Sequence, residues 1–382
     1  MNPHPVIQTP IPPDVIDLGL GNPPLALLPL DIIREAAQTA LSQGDNSFLQ
    51  YGTEQGDGYF RAALAQFLTD GYGFSVSPEN LLITTGISNA LDLLCSYFTK
   101  AGDTIFVEEP SYFLALRIFA DHGLNVISID TDEHGLIPAS LEEKLVGSHP
   151  RFIYLIPTFQ NPTGHTLTQD RRDQIVSLAK EHDFIIAADE VYQLLSYSLE
   201  TPPKSFGAYI DSEHVVSLGS FSKILAPGLR LGWMQAHAKV IQRFVASGLM
   251  DSGGGLNPFT SAMLRNVVES GGLGNNIARL KSVYQDQIRV MDEALRGHFP
   301  EAVYVVPTGG YFFWLKFPES LDIGALRKGA SAFNVDFRQG ALFSSSGGLK
   351  NYMRLCFVMY EADQIKEGIR RLRLCLDQFP SR

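Results

Sequence analysis

Short apolar runs alternate with amphipathic stretches through the middle of the chain, from about residue 57 to residue 236. Runs of this length are typical of buried strands, and the stretches between several of them have apolar residues at helical spacing. The alternation predicts a mostly parallel β-sheet with helices on both faces, an α/β fold. The predicted strands are 81–85, 104–107, 125–129, 151–156, 184–188, 215–218 and 232–236, and the predicted helices between them include 89–98, 113–122 and 169–182.

The pattern changes after three consecutive glycines at 253–255. Two helices are predicted next, at 258–269 and 276–295, and the second is long enough to link two domains. The remaining residues mix strands at 311–317 and 353–358 with helices, which indicates a smaller α+β domain. We therefore expect an N-terminal arm with part of the small domain at 1–45, a large domain at 46–280, and a C-terminal small domain at 281–382.

The first thirty or so residues are rich in proline, with eight in all. Proline fixes φ and removes a backbone donor, so this stretch is expected to be an extended arm and not a packed unit. Asp31 is expected to cap a helix at 32–41.

Composition narrows the class of protein. The 382 residues carry a formal net charge of -11, with 45% hydrophobic and 19% charged residues, as in soluble globular proteins. The acidic balance gives no support to nucleic-acid binding. Three scattered cysteines exclude a disulfide framework and a thiolate metal cluster, and no histidines are paired at metal-ligand spacing. We therefore expect no metal site. No apolar run could span a membrane and no secretory signal precedes the arm, so we expect a cytoplasmic protein.

Polar residues follow several of the predicted strands. In an open parallel sheet, ligands bind just beyond the carboxyl ends of the strands. The segments at these ends are 84–88, 161–164, 189–192 and 220–223, with Arg230 seven residues after Lys223. They supply a lysine, an acid, an amide, hydroxyls, an arginine and the backbone amides of a helix start, and we expect them to form one site.

This set of groups fits pyridoxal 5'-phosphate. That cofactor needs an amine, an anion at its ring nitrogen, donors at its phenolic oxygen and a phosphate cradle. Lys223 supplies the amine, and its pKa must fall from about 10.4 for it to act near neutrality. Asp189 would hold the ring nitrogen protonated. The other expected contacts are Asn161 and Tyr192 at the phenolic oxygen, Tyr112 stacked on the ring, and Ser220, Ser222, Arg230 and the segment Gly86, Ile87 and Ser88 at the phosphate.

The chain resembles the fold-type I, pyridoxal-phosphate-dependent aminotransferases of class I/II. The run Ser-Phe-Ser-Lys-Ile-Leu-Ala-Pro-Gly-Leu-Arg-Leu-Gly-Trp at 220–233 is similar to the lysine region of that family. Asn-Pro-Thr-Gly at 161–164 and Asp-Glu-Val-Tyr at 189–192 occur in the family's order and approximate spacing. The similarity covers about residues 15 to 378, and the joint order of the motifs is highly specific.

The resemblance implies further contacts. Arg354 matches the arginine that pairs with the substrate α-carboxylate, and Gly21 and Asn161 lie near the same group. Tyr51 matches a tyrosine that reaches the phosphate in the neighbouring subunit, so the resemblance implies a homodimer with shared active sites. No second arginine can be assigned to a dicarboxylate side chain. The chain is therefore closer to the group that acts on 2-aminoadipate, kynurenine or aromatic amino acids, and aspartate is not a favoured substrate.

The resemblance also implies an activity in amino-acid metabolism, the transfer of an amino group from an L-amino acid to a 2-oxoacid in a ping-pong cycle. Lys223 would act as general acid and base, with Asp189 and Tyr112 as the other catalytic residues. The same fold also supports carbon–sulfur lyases, decarboxylases and aldolases, and it occurs as a non-catalytic sensor domain. Ser-x-x-Lys at 220–223 also matches penicillin-binding proteins, but the partner motifs of that site are absent from the chain.

Several of these residues have simpler interpretations. The alternatives are a surface location for Lys223, a helix cap at Asp189, a plain N-cap at Ser88, core packing for Tyr112 and Tyr51, and a structural ion pair at Arg354. Asn-Pro-Thr-Gly is also a common turn sequence. The order of the motifs along the chain favours the functional interpretation.

Overall fold

The computed structural model describes residues 11–12, 14–198 and 200–378. The strands in these residues are β1 (Ile16–Asp17), β2 (Leu81–Thr84), β3 (Thr104–Glu109), β4 (Asn125–Asp132), β5 (Gly135–Leu136), β6 (Phe152–Leu155), β7 (Ile185–Asp189), β8 (Val215–Ser220), β9 (Gly232–Ala236), β10 (Phe312–Lys316), β11 (Val335–Asp336), β12 (Arg338–Gln339) and β13 (Tyr352–Cys356). The α-helices are α1 (Leu30–Ser42), α2 (Gly58–Tyr72), α3 (Ile87–Phe98), α4 (Phe113–Asp121), α5 (Pro138–Gly147), α6 (Gln169–His182), α7 (Ala238–Val245), α8 (Gly248–Gly253), α9 (Pro258–Glu269), α10 (Gly272–His298), α11 (Ile323–Ala330) and α12 (Ala362–Asp377).

The largest sheet has eight strands in the order β2-β9-β8-β7-β6-β3-β4-β5. The central strands β8, β7, β6, β3 and β4 run parallel, while β9 and β5 pair antiparallel with their neighbours. Strand β2 pairs antiparallel with β9 at the edge. The prediction of a mostly parallel sheet in an α/β fold is confirmed.

Successive residues of the central strands point to opposite faces of the sheet, and both faces are buried. In β6, Phe152 and Tyr154 belong to one apolar cluster with residues of α3 and α4, whereas Ile153 and Leu155 belong to a second cluster with residues of α5 and α6. This two-sided burial explains why the strands are continuous apolar runs without polar alternation.

The C-terminal residues form a second, smaller sheet in the antiparallel order β10-β13-β12. Helix α10 has 27 residues and packs against α12, which starts with a capping box between Glu361 and Gln364. The structure therefore contains the smaller α+β unit that the sequence predicted. No helix in the described ranges is long and apolar enough to cross a membrane.

The N-terminal segment packs more closely than its proline content indicated. Residues 1–10 and 13 lie outside the described residues, but β1 pairs in parallel with β11 in the small unit. Ile16 and Leu18 are buried, with Leu18 wholly inaccessible to solvent. The expectation of an unpacked arm is therefore wrong for this segment, because alternating apolar residues here give one strand face that the small unit covers.

The predicted helix cap at Asp31 is also wrong. Helix α1 begins at Leu30, two residues before the predicted start at position 32, and Pro29 occupies the N-cap position without a side-chain cap. The Asp31 side chain lies in the first turn and accepts a hydrogen bond from Nη1 of Arg34, at 2.6 Å. A carboxylate in this turn is favoured by the partial positive charge of the helix start, so the residue suits the helix terminus without capping it.

Candidate active site

A cavity of about 360 Å³ lies beyond the carboxyl ends of the parallel strands. Its wall brings together residues from the N-terminal segment, from loops after β2, β3, β6, β7 and β8, and from the small sheet. Twelve of the residues predicted from sequence lie on this wall: Gly21, Ile87, Ser88, Tyr112, Asn161, Asp189, Tyr192, Ser220, Ser222, Lys223, Arg230 and Arg354. Gly86 immediately precedes Ile87 of the wall, and Tyr51 is not among the wall residues.

Lys223 follows β8 and extends its amine into the cavity. Its Nζ atom donates to the carbonyl oxygen of Gly21 at 2.6 Å and lies 5.2 Å from the centre of the Tyr311 ring. Burial lowers the pKa of Lys223 to about 8, because the charged ammonium is poorly solvated there. The fraction of unprotonated amine near neutral pH is therefore much larger than for an ordinary lysine, although the protonated form still predominates at pH 7. The simple surface interpretation is excluded.

Asp189 is the last residue of β7 and is buried. Burial raises the pKa of its carboxyl to about 6, although two hydrogen bonds oppose this rise. The Tyr154 hydroxyl donates to Oδ2 at 2.9 Å and the Val191 amide donates to Oδ1 at 3.3 Å. The residues that follow form turns and not a helix, so the helix-cap alternative does not apply.

One end of the cavity is lined by hydrogen-bond donors. Helix α3 starts at Ile87 with Gly86 as its N-cap and has no side-chain cap, so Ser88 lies in the first turn and is not the N-cap. The Arg230 guanidinium crosses this helix start, with Nη2 donating to the carbonyl oxygen of Thr85 at 3.0 Å.

The backbone at Gly86 is fitted to that approach. Its φ of +99° is one that side chains disfavour, and an added Cβ would lie 3.0 Å from Nη2 of Arg230. Ser220 and Ser222 complete the cluster, with their hydroxyl oxygens 3.0 Å apart. Backbone amides, hydroxyls and a guanidinium together form a cradle for a multiply charged anion.

The other end of the cavity holds Arg354, which is only 3% exposed. Its Nη1 donates to Oδ1 of Asn161 at 2.8 Å and its Nη2 donates to the carbonyl oxygen of Gly19 at 2.6 Å. The guanidinium lies 4.0 Å from the centre of the Phe312 ring, and its Nε is buried without a hydrogen-bond partner. Burial lowers the pKa of Arg354 to about 10. A buried cation with an unpaired donor is suited to a carboxylate ligand.

Two tyrosines close the sides of the cavity. Tyr192 is buried and packs against the rings of Tyr311 and Phe312. Tyr112 is half-buried and its ring meets that of Phe113 edge-on. Burial raises the pKa of Tyr112 to about 12 and also raises the pKa of Tyr192 well above its usual value, so both phenols keep their protons at neutral pH and remain donors.

Tyr51 does not join this cavity. It follows a short 3-10 turn before α2 and is 81% exposed, so its interpretation as a core aromatic is excluded. Among the described residues of a single chain, Tyr51 makes no hydrogen bond to the anion cradle or to Lys223.

Some residues of the site were missed by sequence reasoning. Tyr154 supports Asp189 from inside β6, where an aromatic residue is indistinguishable by pattern from ordinary core. Arg338 lies on β12, a strand of two residues that is too short for a periodic signal. The apolar part of the wall includes Leu20, Leu91, Phe113, Leu114, Ile118 and Phe312.

The residues present fit pyridoxal 5'-phosphate. The donor set contains the required lysine, a buried acid, and an anion cradle in which a Cβ at Gly86 would crowd Arg230.

Comparisons with known proteins agree. The sequence profile of "Aminotransferase class I and II" matches residues 13–372. The chain is 36% identical over 366 residues to "Aromatic-amino-acid aminotransferase 1" of Thermococcus litoralis, which covers 94% of this chain and 87% of that protein.

Two solved structures are also similar. The multiple substrate aminotransferase from Thermococcus profundus is 34% identical with a TM-score of 0.89, covering 96% of this chain and 92% of that one. The α-aminoadipate aminotransferase LysN from Thermus thermophilus, complexed with N-(5'-phosphopyridoxyl)-L-leucine, is 31% identical with a TM-score of 0.87, covering 96% and 92%. The chain therefore belongs to the class I and II aminotransferases and is a pyridoxal-phosphate-dependent enzyme that transfers amino groups between amino acids and 2-oxoacids.

Proposed function

We propose that the cavity binds two anions through two cations, the cofactor phosphate at Arg230 and the substrate α-carboxylate at Arg354. The observation that carries this proposal is the charge pattern of the wall. Of its three arginines, only Arg338 has a carboxylate within 4.0 Å among the described residues. The Arg354 guanidinium is left for a ligand, because a buried cation is costly without an anion. The Arg230 guanidinium is exposed and lies at the start of α3, also without a carboxylate partner among the described residues.

Lys223 is proposed to carry the chemistry of proton transfer. Bound pyridoxal phosphate supplies an aldehyde that accepts the amino group and a ring that stores the electrons of the Cα–H bond. The lowered pKa of Lys223 leaves its Nζ able to take the Cα proton as a base and return it as an acid. The hydrogen bond from Nζ to the carbonyl oxygen of Gly21 holds the amine against the N-terminal segment, on the cavity wall.

Asp189 is proposed to keep the ring nitrogen of the cofactor protonated. Burial disfavours its charge more than the nearby Lys223 favours it, and a protonated ring nitrogen beside the carboxylate would reverse that preference. The hydrogen bond that the Tyr154 hydroxyl donates to Oδ2 of Asp189 fixes the orientation of this carboxylate. Tyr192 and Asn161 supply donors for the phenolic oxygen, and Tyr112 supplies a ring face for stacking.

The start of α3 is proposed to bind the phosphate, together with Ser220, Ser222 and Arg230. The uncapped helix start offers free amides and a partial positive charge to a dianion. The Ser220 hydroxyl donates to the Ser222 hydroxyl oxygen, so Ser222 keeps its own proton to donate to a phosphate oxygen, and Ser220 can do the same if its hydroxyl rotates.

The substrate is proposed to be one of a broad range of amino acids, including aromatic ones. The apolar wall, with Leu20, Phe113 and Phe312, favours apolar side chains over a second carboxylate. The relatives' names, an aromatic-amino-acid and a multiple substrate aminotransferase, support the same range. The amino group would pass first to the cofactor and then to a 2-oxoacid in a ping-pong cycle. Cytoplasmic location and a biosynthetic role stay predictions from the sequence.

We further propose a homodimer in which Tyr51 reaches the partner's phosphate cradle. Leu49, Tyr51, Tyr59 and Phe259 are exposed. We take them to form one apolar surface, because the turn at Ser47–Leu49 and helix α2 both pack against α9. Two neighbouring side chains support this surface: the Phe48 ring packs on Phe259, and the Arg265 guanidinium lies over the Tyr59 ring. Apolar side chains gathered in this way favour a protein interface. The division into units at 1–45, 46–280 and 281–382 is likewise proposed.

The dimer is tested by sedimentation of Leu49→Lys. This variant should dissociate and lose cofactor affinity, because the Tyr51 contact is lost with the partner. Val146→Lys is the matched control, since Val146 is 90% exposed on α5, away from this surface. A Leu49→Lys protein that sediments like the wild type would contradict the proposal.

The reaction is tested by single-turnover absorbance. One amino acid should convert bound pyridoxal phosphate to its amine form, and a 2-oxoacid should reverse the change. Release of ammonia with pyruvate would instead indicate a lyase. Lys223→Ala should abolish both conversions, and retained turnover in that variant would overturn the assignment of Lys223.

A further inference from the structure

Arg338 is the cavity arginine that already has partners. It lies on β12 directly opposite Arg354 on β13, so the two side chains share one face of the small sheet. Both line the cavity. Two guanidinium groups in this arrangement repel each other unless one of them is neutralised.

Two aspartates neutralise Arg338. Its Nη2 lies 3.3 Å from Oδ2 of Asp17, and its Nη1 lies 3.1 Å from Oδ2 of Asp336. Asp336 also binds Arg327 in a bidentate pair, at 2.7 and 2.8 Å. The negative charges of Asp17 and Asp336 therefore offset the positive charges of Arg327 and Arg338. Arg354 has no carboxylate partner among the described residues.

Gly19 connects the ion pair to Arg354. Its amide donates to Oδ1 of Asp17 at 2.8 Å, and its carbonyl oxygen accepts from Nη2 of Arg354 at 2.6 Å. A Cβ at position 19 would lie 2.7 Å from Nη1 of Arg338, so the guanidinium packs closely over this glycine. The position of the Gly19 carbonyl is thus set by Asp17 and Arg338 together.

We propose that Asp17 and Arg338 are positioning residues for Arg354: their ion pair fixes the Gly19 carbonyl on that guanidinium and keeps the Asp17 charge from competing with the substrate carboxylate. The inference rests on the proposed role of Arg354 in binding that carboxylate. It assigns to the N-terminal segment a part in substrate affinity and not in the proton-transfer step.

The charges predict opposite effects for the two partners. Removing the Arg338 charge leaves the buried Asp17 carboxylate, whose pKa burial already raises, without its cation. At a pH above its raised pKa, that carboxylate then carries an uncompensated charge beside the site and opposes a substrate anion. Removing the Asp17 charge instead leaves an additional positive charge that attracts the anion.

The test measures the amino-acid concentration that gives half-maximal single-turnover conversion of the bound cofactor, with the best donor of the wild type. Arg338→Gln should raise this concentration about tenfold while the maximal rate stays within about threefold, since the lost interaction concerns binding and not the reacting bond. Asp17→Asn, which keeps an oxygen for the Gly19 amide, should lower the half-saturating concentration of the amino acid. The double variant should return towards the wild type.

Equal losses of affinity in both single variants, without recovery in the double variant, would indicate a purely structural role and overturn the proposal. A fall in maximal rate at unchanged affinity would overturn it as well. If Arg338→Gln does not fold, Asp17→Asn still decides, because a rise in its half-saturating concentration contradicts the charge argument. Failure of the proposed function is distinguishable, because Arg354→Gln would then keep its affinity for the donor.

Discussion

Nη1 of Arg354 donates to Oδ1 of Asn161 across 2.8 Å and thereby joins the small sheet to the loop after β6. Arginine is a donor only, so the atom that faces it must be the amide oxygen of Asn161. The NH2 group of the same amide is left to donate elsewhere in the cavity. One side chain is therefore in a position to contact both the substrate arginine and the cofactor.

Asn161→Asp should weaken substrate binding. The new carboxylate would pair with Arg354 and compete with the substrate anion, and the NH2 donor would be lost. A charged hydrogen bond contributes about 1.5–3 kcal/mol, so we expect KM to rise about 10- to 100-fold with a lower kcat. Steady-state kinetics on the best donor measure both. An unchanged KM would contradict the proposed role of Arg354, and Asn161→Ala, which adds no charge, separates competition from loss of the donor.

Lys223→Met should stabilise the apoprotein at neutral pH. The folded pKa of Lys223, about 8, lies below the unfolded value of about 10.4, so the unfolded chain binds the additional proton between those values. The stability of the wild type therefore rises with pH across that window. At pH 7 we expect the variant to gain on the order of 1–2 kcal/mol, and less at pH 10.

Urea unfolding of the two apoproteins at both pH values measures this difference. Lys328→Met, at an exposed position on α11, is the control and should show no such pH dependence. A stability difference between Lys223→Met and the wild type that is the same at pH 7 and pH 10 would contradict the burial of the Lys223 amine.

Tyr154→Phe should shift the acidic limit of cofactor binding. The Tyr154 hydroxyl donates to Asp189 and lowers a carboxyl pKa that burial has raised to about 6. Its loss raises the pKa of Asp189 further, so cofactor affinity should fall at a pH about 0.5–1 unit higher than in the wild type. Titration of cofactor binding against pH measures the shift.

The matched control is Tyr197→Phe. The Tyr197 hydroxyl also makes a buried hydrogen bond, to the carbonyl oxygen of Gly310 at 2.7 Å, but it does not contact Asp189. If both variants moved the pH limit equally, the Tyr154–Asp189 contact would have no specific effect.

Gly86→Ala should cost both stability and cofactor affinity. The backbone φ of +99° disfavours a side chain, and the new Cβ would press on Arg230. We expect about 1–3 kcal/mol of lost stability and a weaker phosphate site. Gly274→Ala on α10 is the control, because nothing lies within 4 Å of its added Cβ, and it should be neutral or stabilising. Equal cofactor affinity in Gly86→Ala and the wild type would argue against this cradle.

The sequence predicted the central sheet and most of the cavity wall for a physical reason. Strands buried on both faces must be continuous apolar runs, and the first polar residue after each run lies at the sheet edge where ligands bind. Asp189 follows this rule directly, whereas Lys223 and Asn161 lie a few residues further along the segments that leave β8 and β6. Their roles in the cavity are proposals that the variants above examine.

The roles of residues that depend on contacts between distant parts of the chain could not be predicted from the sequence pattern. Arg338 faces the cavity because β12 pairs with β13, and Tyr154 acts through Asp189, 35 residues away in sequence. The N-terminal segment looked unpacked because proline dominates its composition, yet Leu18 is buried by the small unit. In each case the partner lies far along the chain, and no local pattern encodes it.

The most direct test of the account is to reduce the wild-type holoenzyme with borohydride and map the labelled peptide. Reduction fixes the bond between the cofactor and the amine that holds it. The account predicts a single phosphopyridoxyl group on Nζ of Lys223 and none in Lys223→Ala. A protein that takes up no cofactor, or that carries the label on another lysine, would contradict it.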